Sequence, residues 1–209
     1  TFLRKGAEEI KQNVERTVAR LGLTSISTND ITFSTLQSEF FELLRLRGFN
    51  LTDKTKSDYI RMLDGTSDDG ETRNSYNAIF DRLFRKYQLG EDGSNYISLQ
   101  DRRDLQAIIS NYRNCVLSKY EFGEAAETAK RLNLTLSILP LVVETYQELK
   151  ARYSVMDYDD LMSYVYDYMV VEKEDDPVQT AWVNFYKNRY EYFMLDEAQD
   201  MSELQYLVL

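Results

Sequence analysis

The segment Tyr192-Phe193-Met194-Leu195-Asp196-Glu197 sets a run of four apolar residues directly against two adjacent carboxylates. A run of that length suits a buried central strand. A parallel strand that ends in acids places them at the carboxyl edge of its sheet, where open α/β folds bind ligands. Two anions at such an edge call for a cation. In the arrangement used for nucleotide hydrolysis the first acid, Asp196, holds Mg²⁺, largely through water. Its neighbour Glu197 then orients an attacking water or accepts its proton. Two other readings stay open on the pair alone. One is a strand followed by a helix cap with an acid in the first turn, which the helix dipole favours. The other is a Mg²⁺ nuclease, although nuclease metal clusters normally draw further acids from separate strands.

Composition narrows the chemistry. The 209 residues contain no histidine, which removes imidazole bases and His-based metal sites, and one cysteine, Cys115, which forbids an internal disulfide. Catalysis therefore rests on carboxylates, Lys, Arg or hydroxyls. The net charge of −10 argues against a surface that is wholly a glove for DNA. That charge is unevenly placed: residues 1–50 carry +1, residues 51–156 carry −1, and residues 157–209 carry all of the excess, −10. The run Glu172-Lys173-Glu174-Asp175-Asp176-Pro177 reads as an exposed loop. The apolar stretches are too short to cross a bilayer, and a cytoplasmic, reducing setting of bacterial or phage type is expected. Thr1 is not a Met and Leu207-Val208-Leu209 stops in mid-pattern, so both ends read as cut from a longer chain.

The elements that must hold the acids follow from periodicity. Ala7, Ile10, Val14, Val18 and Leu21 recur at three and four before Gly22, which predicts an amphipathic helix with Thr1-Phe2 as the tail of a preceding strand. Ile31-Thr32-Phe33 is β-prone, and Ser34 with Gln37 offers a cap for a helix through Leu36, Phe40, Leu43 and Leu44. From about Thr55 to Ser154 the period is helical, broken at 64–70 and 90–95. A further helix is expected over roughly Val178 to Tyr190. Asp157 with Asp160 reads as a helix cap with an acidic first turn; a metal site is the alternative. The expected fold class is α/β: a partial parallel sheet of P-loop NTPase type with a large all-helical insertion, helix-dominated overall. Its boundaries are 1–49, 50–150 and 151–209.

The longer string Leu195-Asp196-Glu197-Ala198-Gln199-Asp200-Met201-Ser202-Glu203-Leu204-Gln205 closely resembles motif II, the Walker B segment, of the UvrD/Rep-like superfamily 1 helicases. That motif reads Asp-Glu-x-Gln-Asp with a second Gln five residues on, where Gln205 stands. The resemblance runs backwards in the family's order. Thr1-Phe2-Leu3-Arg4-Lys5-Gly6-Ala7-Glu8-Glu9-Ile10 is similar to motif Ia, Thr32-Phe33-Ser34-Thr35-Leu36 to motif Ib, and Met156-Asp157-Tyr158-Asp159-Asp160-Leu161 to an Asp-Phe-Asp-Asp-Leu element before motif II. Residues 50 to 140 match only as a helical insertion.

The resemblance implies an ATP-driven DNA helicase or translocase, moving 3′ to 5′ on single-stranded DNA, in a repair or replication setting. The chain would hold most of a RecA-like motor domain, 1A, with its helical 1B insertion. It implies ATP and Mg²⁺ as cofactors, Asp196 as the metal ligand, Glu197 as catalytic base and Gln199 as the sensor of the γ-phosphate. Asp200 and Gln205 are given a coupling role. DNA contacts fall on Thr1, Phe2, Arg4, Thr32, Phe33 and Ser34. The physics of such contacts agrees, since aromatics stack on any base and hydroxyls and cations hold phosphate without reading sequence. Burial in a core is the other reading of Phe2 and Phe33. Arg4 stands where the family has Asn, and supplies a cation in its place; Ser34 stands where it has His. The Gly-Lys-Thr/Ser phosphate loop is absent from these residues, so hydrolysis by them alone is not expected. The alternative function is a helicase-like module that binds nucleic acid or protein without ATPase activity.

Overall fold

The computed structural model describes residues 4–25, 27–63, 70–90, 97–171, 176–196 and 198–209, with Arg4 and Lys5 described by backbone alone. The expected strand tail at Thr1-Phe2 lies outside the described residues, as does Glu197.

Helix α1 spans Arg4–Leu21, as its apolar period predicts. Gly22 ends it at φ 63°, a conformation that costs a residue with a Cβ. The paired bonds Gly22 N–H to Ala19 O and Leu23 N–H to Val18 O, both 3.2 Å, close the last turn. Helix α2 covers Leu36–Leu46. Its cap is Thr35, whose hydroxyl accepts from the Ser38 N–H at 3.1 Å, one residue later than the Ser34 cap expected. Ser34 is otherwise engaged, as described below.

The sheet among the described residues consists of two short parallel strands, β1 (Arg61–Met62) and β2 (Val155–Met156). The middle of the chain is helical as predicted: α3 (Gly70–Tyr87), α4 (Leu99–Asn114), α5 (Ala126–Arg131) and α6 (Leu139–Arg152). These helices enclose the largest core, in which Ile79, Phe80, Leu83, Leu105, Leu132, Leu139 and Val142 are fully buried. Each such side chain contributes about 1.5–3 kcal/mol relative to exposure. The last three helices are α7 (Tyr158–Met169), α8 (Pro177–Lys187) and α9 (Glu203–Val208). With α2 they form a second core of Leu36, Phe40, Leu43, Met162, Val165 and Leu204. Leu44, Leu51, Met156 and Leu161 make a third cluster under β2. The architecture is helix-dominated α/β, the class expected.

Three local expectations are corrected. Ile31-Thr32-Phe33 is not a strand: a short 3₁₀ turn at Thr28–Asp30 leads into irregular chain. Helix α8 runs Pro177–Lys187 rather than to Tyr190, because Asp176 caps its first N–H groups, Pro177 fills the first turn and Asn188 closes it. Most consequential, Tyr192 to Leu195 is irregular and open to solvent, with Tyr192 82% and Met194 89% exposed. An apolar run becomes a strand only when a neighbouring strand takes its N–H and C=O groups. No strand among the described residues lies beside this one, and only Leu195 packs inward, against the second core.

Candidate nucleic-acid groove and motif II segment

Helix α1 and the chain leading into α2 face one another across a groove of about 580 Å³. One wall is the face of α1 that carries Ala7, Glu8 and Lys11. The other is the irregular chain from Thr28 to Ser38, including Ile31, Phe33, Ser34 and Thr35. The α1 side follows from helical spacing, since residues three and four apart share a face. The other side is shaped by capping: the Thr35 hydroxyl donates to Ser38 Oγ at 2.8 Å and accepts from the Ser38 N–H, which fixes where the chain turns into helix.

The expected DNA-binding residues divide accordingly. Phe33 and Ser34 line the groove, and Phe33 is half-buried. Thr32 is exposed and its side chain hydrogen-bonds the Tyr190 phenol. Arg4 begins α1, while Thr1 and Phe2 lie outside the described residues. Glu39, in the first turn of α2, was not singled out by sequence. Its carboxylate accepts from Ser34 Oγ at 2.6 Å and from Tyr190 Oη at 3.0 Å. Burial, then the bond to Glu39 and its charge, raises the Tyr190 pKa. Tyr190 stands six positions before Asp196, so this carboxylate ties the groove to the segment that leads into the acids. The signal for it was an acid at the start of a helix, which sequence alone reads as a dipole effect.

Among the described residues, those expected to form motif II are displayed rather than enclosed. Asp196 is exposed and makes no ion pair among the described residues, and Gln199 and Asp200 are exposed in a 3₁₀ turn at Ala198–Asp200. Among the described residues no group of three acids or other metal ligands converges. Gln205 has a local task. It forms a reciprocal cap with Ser202, its carbonyl accepting from the Ser202 N–H at 2.9 Å and its N–H donating to Ser202 Oγ at 3.2 Å. Glu203, next to it, accepts from the Leu117 N–H at 2.7 Å and from Ser118 Oγ at 2.6 Å. These bonds, with the Ser118 hydroxyl the largest cause, hold its pKa below the ordinary carboxylate value.

The Asp157 to Leu161 element is a structural clamp. Asp157 and Asp160 form the reciprocal cap of α7 that the spacing predicted. Beyond that they neutralise Lys150, which is 1% exposed, through Nζ contacts of 2.6 Å to each. Arg113, at the end of α4, reaches Asp157 at 3.1 Å and Asp160 at 2.7 Å. Burial alone would push the Asp157 carboxyl up, but the charges of Lys150 and Arg113 outweigh it and bring it to about 2. Asn114 extends the joint, donating to Asp159 at 2.8 Å and accepting from Ser202 at 3.3 Å. Lys150 and Arg113 had no local sequence signal, since each looks like an ordinary helix-surface cation until the helices are packed.

A family model, the UvrD/REP helicase N-terminal domain, matches residues 1–209. The chain belongs to this family. No curated protein and no solved structure matches it. Membership in the UvrD/REP family makes this a helicase-family chain, and the segments 32–36 and 195–205 are placed within the span of that match. Among the described residues of this UvrD/REP chain no helix is long and apolar enough to cross a membrane.

Proposed function

We propose that the chain holds most of the first motor domain of an ATP-dependent DNA translocase or helicase, with residues 1–49 and 151–209 in the motor and 50–150 as its helical insertion. The observation that carries this reading is the family match over residues 1–209. Polarity of 3′ to 5′ on single-stranded DNA, and the repair or replication setting, rest on the same resemblance.

The residues present suit a hydrated Mg²⁺ with ATP. That ion keeps several waters and is bound by one or two carboxylates together with the substrate phosphates, so an exposed Asp196 without a competing ion pair among the described residues is a fitting ligand. When bound, the ion supplies charge neutralisation on the phosphoryl group being transferred. Glu197 takes the proton of the attacking water or orients it. Gln199 contacts the γ-phosphate side of the site and, with Asp200 and Gln205, relays its state. Thr1, Phe2, Arg4, Thr32, Phe33 and Ser34 form the single-strand contact, in which Phe33 stacks on a base and Lys11 balances phosphate charge across the groove.

The test is Glu197→Gln in the intact parent chain, assayed with its DNA. Nucleotide binding should persist while DNA-stimulated ATP hydrolysis falls by about 10²-fold or more, the scale of a lost general base. Unchanged hydrolysis would reject the motor reading. Hydrolysis absent already in the unaltered protein, with DNA still bound, would leave the binding-module reading.

A further inference from the structure

Ser34 stands on the rim of the groove, and its hydroxyl has one proton to give. Two acceptors lie within its reach, the Glu39 carboxylate and, farther off at 3.3 Å, the Thr35 carbonyl, and the nearer holds it. Ser34 Oγ donates to Glu39 Oε1 at 2.6 Å, the length of a charge-assisted bond. The other carboxylate oxygen is held by Tyr190 Oη at 3.0 Å, so Glu39 is fixed from both ends and cannot turn away from Ser34 without losing a second bond. The neighbouring Thr35 has also spent its proton, on Ser38 Oγ at 2.8 Å. Of these three hydroxyls Ser38 alone keeps an uncommitted proton among the described residues.

At Ser34, therefore, the rim presents oxygen lone pairs backed by a carboxylate. Among the described residues the charged side chains that face the groove itself are Lys11 and Glu8, one of each sign. Lone pairs beside an anion repel phosphate, which can only accept, and welcome a donor. Among nucleobases the amino group of cytosine is such a donor, whereas thymine offers a carbonyl and a methyl at the corresponding edge.

We propose that Glu39 is a specificity-determining residue of this groove: by holding the Ser34 proton it makes the rim accept hydrogen bonds, so that the groove takes amino-bearing bases of a single strand in preference to its phosphates. This rests on the nucleic-acid reading of the groove given above. Glu39 acts through Ser34, and Tyr190 sets the angle of the carboxylate.

The experiment measures binding of oligo-dC and oligo-dT of equal length by fluorescence anisotropy over a salt series. The unaltered protein should bind oligo-dC about fivefold more tightly, the worth of one hydrogen bond. In Glu39→Gln the carboxylate charge behind Ser34 is lost, so its hydroxyl is no longer held as an acceptor and its proton can turn toward the groove. The preference should then shrink to within about twofold, both oligonucleotides should bind more tightly, and affinity should fall more steeply with salt, as an added phosphate contact requires. Ser34→Ala should lose the preference with no gain in affinity. That split separates control of the hydrogen bond from a general effect on folding. Equal binding of the two oligonucleotides by the unaltered protein, or a preference that survives in both variants, overturns the role of Glu39 and leaves nucleic-acid binding standing. Binding of neither oligonucleotide overturns the groove reading and the role of Glu39 together.

Discussion

Two acidic segments of the same chain meet opposite fates. At Asp157 and Asp160 each carboxylate is buried, caps α7 and contacts both Lys150 and Arg113, so two anions and two cations cancel in a dry joint. At Asp196 and Asp200 the carboxylates stand in solvent with no cation beside them among the described residues. Residue type does not distinguish the two sets, since Asp157 follows Met156, Asp196 follows Leu195, and each stands just before a helical segment. What differs is the supply of positive charge from elsewhere in the fold. Acids that receive two cations are spent on holding helices together; acids that receive none stay available for a ligand that brings its own charge.

The sharpest way to break this contrast is to remove the cation. Lys150→Met leaves two buried carboxylates short of a partner and should cost about 3–5 kcal/mol in urea unfolding. A loss near zero would show that the joint is not a buried ion cluster. Acid should probe the same joint more gently. The folded Asp157 carboxyl titrates at about 2, below its unfolded value near 3.8, so its stabilisation is complete above about pH 4 and drains away as pH falls toward 2. About 2–3 kcal/mol should be lost across that window, read as a falling unfolding midpoint. Lys150→Met should flatten this dependence. The smallest effect belongs to the exposed segment. Ser202→Ala removes one helix cap and should cost about 1 kcal/mol, while Asp196→Asn should leave the thermal midpoint unchanged, even though the motor reading has it abolish hydrolysis by the intact parent chain. An Asp196→Asn protein that unfolds early would place that acid with the structural set.

The helical middle was legible because period alone identifies a buried face: Ile79, Leu83, Leu105 and Ile109 recur at helical spacing and all reach the largest core. The Asp157 and Asp160 cap was legible for a similar reason, as its two partners lie three residues apart. Strands fared differently. Tyr192 to Leu195 carries the right residues, yet β structure depends on partners that a local pattern cannot contain. Conversely β1 and β2 are two residues each, too short to alternate visibly, and are joined across 94 positions of register. The same limit hid the site's geometry. Phe33 and Ser34, expected from a local motif, do line the groove, but Glu39 enters the candidate site only when Tyr190, 151 positions away, closes on it. Gln205 shows the reverse case, a motif position whose visible bonds are those of a helix cap.

One small contact carries a mechanical implication. Glu203 lies three positions after Asp200, and its carboxylate is gripped by the Leu117 N–H and the Ser118 hydroxyl just past the end of α4. Hydrogen bonds of 2.6 to 2.7 Å tolerate little slip. A sliding of α9 by even one residue's rise, about 1.5 Å, would tear them. The helical block and the acidic turn are thus joined, and any displacement of one must either carry the other along or break this contact.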